Sequence, residues 1–142
     1  GREATVAAPD SLRGRGLAMR HDTTMTGKKI LIVDDEAGVR FGICDFLELH
    51  GYEVREADSC QQAQALFRES PAHAVIVDYE LPDGNACELL PRLREIDPTV
   101  AALVLTGRDA ADPVLGAIAG ERVLTKPVEL PALLEILHTL PA

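Results

Sequence analysis

Short apolar runs that end in polar residues recur along most of the chain. The first, residues 30–33, is rich in β-branched residues without polar alternation, and similar runs follow at residues 74–78, 100–105 and 123–124. Such runs are typical of strands buried on both faces, as in a parallel sheet. Residues 52–56 alternate between apolar and polar, which predicts a half-exposed edge strand. The pattern therefore predicts five strands.

Helical spacing of apolar residues separates these strands. The first helix is predicted from four apolar residues at successive intervals of four, three and one: Val39, Ile43, Phe46 and Leu47. Gly51 supplies its stop. A second helix is expected between Ser59 and Pro71, with Gln62 spaced for a capping box. Three more are expected from the turn at 81–84 to about residue 96, around 112–119, and at about 129–140.

Alternating strands and helices with short connections imply a parallel sheet with helices on both faces. Five strands and five helices fit an α/β, flavodoxin-like, three-layer sandwich with strand order 2-1-3-4-5. In that order four strand ends meet at one edge, where the residues are Asp34, Asp35, Asp78, Thr106 and Lys126. Each has an ordinary explanation alone, as a helix cap, a turn residue or a surface cation. Their joint placement indicates a functional site.

This set of side chains suits phosphoryl transfer. The adjacent carboxylates of Asp34 and Asp35 repel each other and can share a hard cation such as Mg²⁺. Asp78 ends the central strand, where a rigidly held carboxylate can act as a nucleophile. Lys126 and Thr106 can contact phosphoryl oxygens. The product would be an aspartyl phosphate, whose added charge the threonine and the lysine could sense.

Composition bounds the class of protein. The 142 residues suffice for one domain with a sizeable core, and 46% hydrophobic and 26% charged residues are ordinary for a soluble protein. A net charge of −9 disfavours nonspecific binding to nucleic acid or anionic membranes. No apolar run approaches the roughly 20 residues of a membrane span. Scattered cysteines and histidines predict reduced thiols in a cytoplasmic protein and no zinc site.

Residues 1–26 differ from the rest of the chain. They carry four arginines against three acids, with Gly, Pro, Ser and Thr breakers and no sustained periodicity. This composition predicts a flexible leader. A cloning remnant or an upstream reading-frame extension would explain it, because Met25 closely precedes the first strand, and a functional arm is the alternative. We assign residues 27–142 to the domain.

Four motifs carry a resemblance to a known family: ILIVDDE, VIVDYELPDG, LVLTG and LTKP. In type, order and spacing they resemble the receiver (CheY-like) domain of bacterial two-component response regulators, over residues 28–140. The resemblance implies that Asp78 is the phosphoacceptor, Asp35 a direct Mg²⁺ (or Mn²⁺) ligand, and Asp34 a ligand at least partly through water. The carboxylate of Asp78 and the backbone carbonyl of Glu80 complete the implied metal ligands.

By the same resemblance, Thr106 is the switch hydroxyl, Lys126 pairs with the phosphoryl group, and the Lys126–Pro127 peptide is expected to be cis. The phosphodonor is a histidine kinase or a histidine phosphotransfer protein. The implied output is a protein contact through the fourth helix, fifth strand and fifth helix, with an unidentified downstream protein or in a phosphorylation-dependent homodimer. Such a domain is a signalling switch, catalysing only its own phosphorylation and dephosphorylation, rather than an enzyme.

Two departures from the family pattern concern this output. The position three residues before the lysine usually holds Phe or Tyr, and here it is Val123. Thr106 and Lys126 are 20 positions apart, slightly short for the family. The segment between them contains three poor helix formers: Pro113, Gly116 and Gly120. We expect a short or mobile fourth helix, although neutral drift of a variable region would give the same pattern.

The lifetime of the acyl phosphate has its own candidate residues. Glu80 and Arg108 lie two positions beyond Asp78 and Thr106. Receivers tune hydrolysis at these positions. An opposite-charge pair across the mouth of the site could obstruct the attacking water and prolong the signal.

Two other functions fit parts of the pattern. A pseudo-receiver, which binds partners without phosphorylation, is suggested by the missing aromatic residue. An aspartate-nucleophile phosphatase of the haloacid dehalogenase type shares the residue types, but it needs a D-x-D motif where this chain has Asp34-Asp35-Glu36. The sequence is compatible both with a stand-alone receiver and with a receiver from a larger regulator or hybrid kinase.

Overall fold

The computed structural model of the chain describes residues 28–107, 118 and 120–140. In chain order the elements are β1 (Lys29–Val33), α1 (Ala37–Leu49), β2 (Glu53–Ala57), α2 (Cys60–Glu69), β3 (Ala74–Asp78), β4 (Glu80–Leu81), β5 (Gly84–Asn85), α3 (Ala86–Ile96), β6 (Ala101–Thr106), β7 (Arg122–Thr125) and α4 (Leu130–Thr139).

The main sheet is parallel and has the strand order β2-β1-β3-β6-β7. This is the predicted order 2-1-3-4-5, because β6 and β7 are the fourth and fifth strands of that sheet, so the predicted fold is confirmed. β4 and β5 form a separate antiparallel hairpin where the sequence predicted only a turn. The hairpin follows directly after β3 and matters for the site described below.

The core lies on both faces of the sheet, as the uninterrupted apolar runs predicted. In β1, Leu31 and Val33 face α2 and α3, where they pack in a cluster with Phe67. Ile30 and Ile32 belong to the opposite cluster, which contains the buried residues of α1 and α4. Because successive side chains of a strand point to opposite faces, a strand covered on both faces has to be apolar throughout.

The two edge strands are less buried than the centre. β2 lies at one edge, as predicted, and is only partly covered along most of its length, although its burial does not alternate from residue to residue. The run at residues 123–124, predicted as an apolar strand, forms β7 at the other edge, where the side chain of Val123 is 38% exposed. An edge strand can leave part of its surface open to solvent, so a short apolar run is enough to form a strand at this position.

Helix ends follow the predicted signals with one difference of detail. α1 is followed by Gly51 with a φ of 91°, a left-handed conformation that glycine adopts at little cost. Ser59 Oγ caps α2 by accepting the Gln62 N–H at 3.1 Å. The Gln62 side chain accepts from Asp58 N–H rather than from Ser59, so the predicted capping box is shifted by one residue.

Two sequence predictions fall outside the described residues. The predicted leader at residues 1–26 is one, and the helix around residues 112–119, with its expected shortness, is the other. Four of the five predicted helices are therefore seen among the described residues. Within this part of the chain, no helix has the length and apolar character required to cross a membrane.

Candidate functional site

The carboxyl ends of four strands meet at one edge of the sheet, as predicted. Asp34 directly follows β1, Asp78 ends β3, Thr106 ends β6 and Lys126 directly follows β7. Asp78, Thr106 and Lys126 border an open cleft of about 660 Å³. Its lining consists of Asp35, Glu36, Asp78, Tyr79, Glu80, Leu81, Pro82, Thr106, Gly107 and Lys126. Asp34 is fully buried and Thr106 nearly so.

Three carboxylates form the acidic part of the site. Asp34, Asp35 and Asp78 each offer an oxygen atom within 4.8 Å of the others. Asp34 Oδ1 accepts the Glu36 N–H at 2.9 Å. Asp34 Oδ2 is buried and lies 3.1 Å from Lys126 Nζ, an ion-pair distance, but it receives no aligned hydrogen bond from the described residues. A buried carboxylate oxygen with a vacant acceptor position, beside two further carboxylates, fits a hard divalent cation.

Lys126 is the positive part of the site. Its Nζ lies 2.8 Å from Glu36 Oε1, 3.1 Å from Asp34 Oδ2 and 3.4 Å from Asp78 Oδ2. Burial alone would lower the pKa of this ammonium group, but its contacts with Glu36, Asp34 and Asp78 raise the pKa above the usual value. Lys126 therefore stays protonated at neutral pH, and its positive charge offsets the repulsion among these carboxylates.

The environment of the Asp78 carboxyl group disfavours its ionisation. Burial, followed by the negative charge of Asp34, raises its pKa to about 6, against the lowering effect of Lys126. A cation bound among the carboxylates would favour the ionised form, in which an Asp78 oxygen can act as a nucleophile.

The backbone around these residues is fixed by hydrogen bonds. Arg40 reaches from α1, donating through a terminal guanidinium nitrogen to the Asp34 carbonyl oxygen at 2.6 Å and through Nε to Glu56 at 3.0 Å. Lys126 N–H donates to the Thr106 carbonyl oxygen at 2.7 Å. The peptide bond between Lys126 and Pro127 is cis, which confirms the prediction.

The remaining predicted site residues are distributed as follows. Glu80 is exposed in β4 and lines the cleft, whereas Arg108 lies outside the described residues. Val123, the predicted switch position, lies in β7. Glu36 and Arg40 also belong to the site, through contacts with Lys126 and Asp34 that were not predicted. The third acid of the DDE run was a signal for Glu36, but nothing in the sequence indicated that Arg40 reaches back to Asp34.

A family model described as the response regulator receiver domain matches residues 30–138. The chain belongs to this family. The receiver is 36% identical to the phosphate regulon transcriptional regulatory protein PhoB of Pseudomonas aeruginosa, over 72% of this chain and 47% of PhoB. It is 31% identical to the response regulator receiver protein CpdR of Brucella abortus, over 72% of this chain and 88% of CpdR.

Solved structures agree with this assignment. A response regulator from Burkholderia pseudomallei, containing a phosphorylated aspartic acid, a calcium ion and citrate, is 28% identical with a TM-score of 0.70. The match covers 79% of this receiver and 67% of that chain. The matched region spans less than half the length of PhoB. Receiver domains are signalling switches.

Proposed function

We propose that this receiver takes a phosphoryl group onto Asp78 from the phosphohistidine of a histidine kinase or a histidine phosphotransfer protein. One observation carries the proposal: at the end of the central strand, the carboxylate of Asp78 lies in a cleft beside two further carboxylates and 3.4 Å from Lys126. A carboxylate, a cation site and a lysine in one cleft are the parts that phosphoryl transfer requires.

In the proposed transfer, an Asp78 oxygen bonds to phosphorus while the P–N bond of phosphohistidine breaks. The electron pair of that bond stays with the imidazole nitrogen. Asp34, Asp35, Asp78 and the carbonyl of Glu80 are the proposed ligands of Mg²⁺ or Mn²⁺. Bound there, the ion would neutralise charge on the phosphoryl oxygens. The distance of 3.4 Å between Asp78 Oδ2 and Lys126 Nζ supports a pairing of the ammonium group with another of these oxygens.

The resting contacts of Lys126 change in this proposal. Its shortest contact is with Glu36, at 2.8 Å. When a phosphoryl group arrives on Asp78, Lys126 exchanges Glu36 for a phosphoryl oxygen, and Thr106 donates its hydroxyl to a second oxygen. The output then passes through β7, α4 and the segment before β7 to a downstream protein or to a second copy of the chain. No aromatic side chain takes part at position 123, because that residue is Val123.

The phosphodonor protein has a surface available beside the cleft. An apolar groove of about 490 Å³ runs between α1 and the start of α4. Its lining is Gly38, Val39, Gly42, Ile43, Lys126, Pro127, Val128 and Leu130. Because Lys126 lines both the groove and the cleft, a protein that brings phosphohistidine to Asp78 has to approach over or close to this groove. We propose that the phosphodonor packs apolar side chains into it.

Incubation with acetyl phosphate and Mg²⁺ tests the central proposal. Intact-mass measurement should show a gain of one phosphoryl group in the wild type and none in Asp78→Asn. Beryllofluoride with Mg²⁺ should change the amide NMR spectrum of the wild type only. An unmodified wild type with no Mg²⁺-dependent spectral change would instead support a pseudo-receiver, which the aliphatic Val123 favours. Family membership disfavours the haloacid dehalogenase alternative.

A further inference from the structure

A carboxylate at the tip of the β4–β5 hairpin is bound to the start of a distant helix. Asp83 Oδ1 accepts the Cys60 N–H at 2.7 Å, and Asp83 Oδ2 accepts the Gln61 N–H at 2.9 Å. These residues are 23 and 22 positions away in the chain. The two backbone hydrogen bonds lower the pKa of Asp83, so the carboxylate remains ionised at neutral pH. Both oxygens of one side chain therefore connect the hairpin to α2.

α2 already has a cap of its own. Ser59 Oγ accepts the Gln62 N–H, and the Gln62 side chain accepts the Asp58 N–H. The Gln61 N–H that Asp83 binds is in an exposed environment, where water could satisfy it instead. The distinctive effect of Asp83 is thus the link it makes between the hairpin and the helix.

The other parts of the hairpin are also fixed. Tyr79, just before β4, donates its N–H to the Leu105 carbonyl oxygen at 2.7 Å. On the return strand, Asn85 and Glu88 form a complete capping box at the start of α3. Glu80 is paired with Asn85 across the hairpin. The hydrogen bonds of Asp83 hold the tip, so contacts on both sides of Glu80 restrain the hairpin.

We propose that Asp83 is a positioning residue for the divalent-cation site, which acts by holding the hairpin so that the Glu80 carbonyl keeps its place. The inference rests on the proposed function, in which that carbonyl is a metal ligand. A backbone carbonyl cannot adjust by rotating a side chain, so its position depends on the segment that carries it. Mg²⁺ demands near-ideal octahedral geometry, which makes its affinity sensitive to such a shift.

Direct Mg²⁺ titration, followed by backbone amide NMR shifts of the full chain, tests the inference. Asp83→Ala should weaken Mg²⁺ binding by about tenfold, the scale observed when outer partners of metal ligands are lost. Asp83→Asn retains one acceptor oxygen and should show a smaller shift in the same direction, and it also serves if the alanine variant does not fold. At saturating Mg²⁺, phosphorylation by acetyl phosphate should recover in both variants.

Ser59→Ala is the matched control, because it removes a cap from the same helix without touching the hairpin. It should lower thermal stability and leave the Mg²⁺ dissociation constant unchanged. Equal Mg²⁺ affinity in the wild type and both Asp83 variants, or an equal loss in Ser59→Ala, would overturn the inference while leaving the proposed function intact. A wild type that binds no Mg²⁺ would overturn the proposed function itself.

Discussion

At the scale of single residues, the environment proposed to make Asp78 a phosphoacceptor also has a cost in stability. The Asp78 pKa of about 6 lies above the usual value of 3.8, chiefly because of burial. A carboxyl group whose folded-state pKa is raised contributes stability below its unfolded pKa, and that contribution is lost as the pH rises through the folded pKa. At neutral pH without metal, the ionised Asp78 should therefore destabilise the fold.

Asp78→Asn should raise the free energy of unfolding at pH 7.5 in EDTA by about 1–3 kcal/mol. The gain arises because the amide has no charge to bury beside Asp34. Urea unfolding at several pH values measures it, and the difference should shrink towards pH 4, where Asp78 of the wild type is protonated. A pH-independent difference would show that the charge of Asp78 is not its source.

In the proposed transfer, Glu36 competes with the phosphoryl group for Lys126. Glu36→Gln removes the charge at 2.8 Å from the ammonium group, so phosphorylation by acetyl phosphate should accelerate by about two- to fivefold, the scale of an exposed ion pair. The initial rate of mass gain measures the effect. Glu95→Gln makes the same change of net charge on the exposed side of α3 and should leave the rate unchanged. A slower Glu36→Gln would mean that Glu36 assists the transfer.

Glu80 and Arg108 are expected to prolong the acyl phosphate. Replacing both by alanine should shorten its lifetime, because the attacking water would then reach phosphorus more easily. After removal of excess acetyl phosphate, the decay of the phosphorylated mass gives the lifetime, and the two single variants show whether the residues act together. An unchanged or longer lifetime in the double variant would contradict this role.

At the scale of elements, the sequence predicted the strands from composition because both faces of β1, β3 and β6 are covered. It also predicted which strand ends meet, since parallel order determines the shared edge. The β4–β5 hairpin was missed because four residues carry no periodicity. The Arg40 contact with Asp34 was missed because it depends on how α1 packs. Local sequence patterns were enough to predict the strands and helices. Contacts between different elements could be identified only in the folded structure.

One such contact joins α3 to Glu121, the residue directly before β7. Arg94 and Glu121 form a two-pronged ion pair with distances of 2.7 and 2.9 Å. Its hydrogen bonds lower the pKa of Glu121, so the stability it contributes is present above the unfolded pKa and is lost as the pH falls through the lower folded value. Glu121→Gln should destabilise the protein by about 0.5–1 kcal/mol at pH 7.

Urea unfolding compares the Glu121→Gln variant with the wild type, and the difference should close at acidic pH as Glu121 is protonated. Glu95→Gln on the same α3 is the control for the change in charge. A destabilisation that persists at low pH would indicate that packing, rather than the ion pair, accounts for it.

At the scale of the whole molecule, the groove and the cleft lie side by side, with Lys126 common to both. A small phosphodonor needs only the cleft, whereas a protein donor also needs the surface around it. Phe41, 52% exposed near the start of α1, is an apolar side chain open to such a partner, whereas Leu49, 84% exposed, lies at the end of the helix far from the cleft. Gly38 and Gly42 have open space beside them, so another protein can approach the α1 backbone closely.

Phe41→Ser and Gly42→Gln should each slow transfer from a phosphorylated histidine phosphotransfer domain by about tenfold, since they remove an apolar contact or fill the groove. Phosphorylation by acetyl phosphate should be unchanged in both, because the cleft is intact. Leu49→Ser is the matched control, as it removes an apolar residue from the far end of α1. Equal rates from the protein donor in all three variants would place the donor elsewhere, and a parallel loss with acetyl phosphate would mean that α1 acts through the cleft rather than through docking.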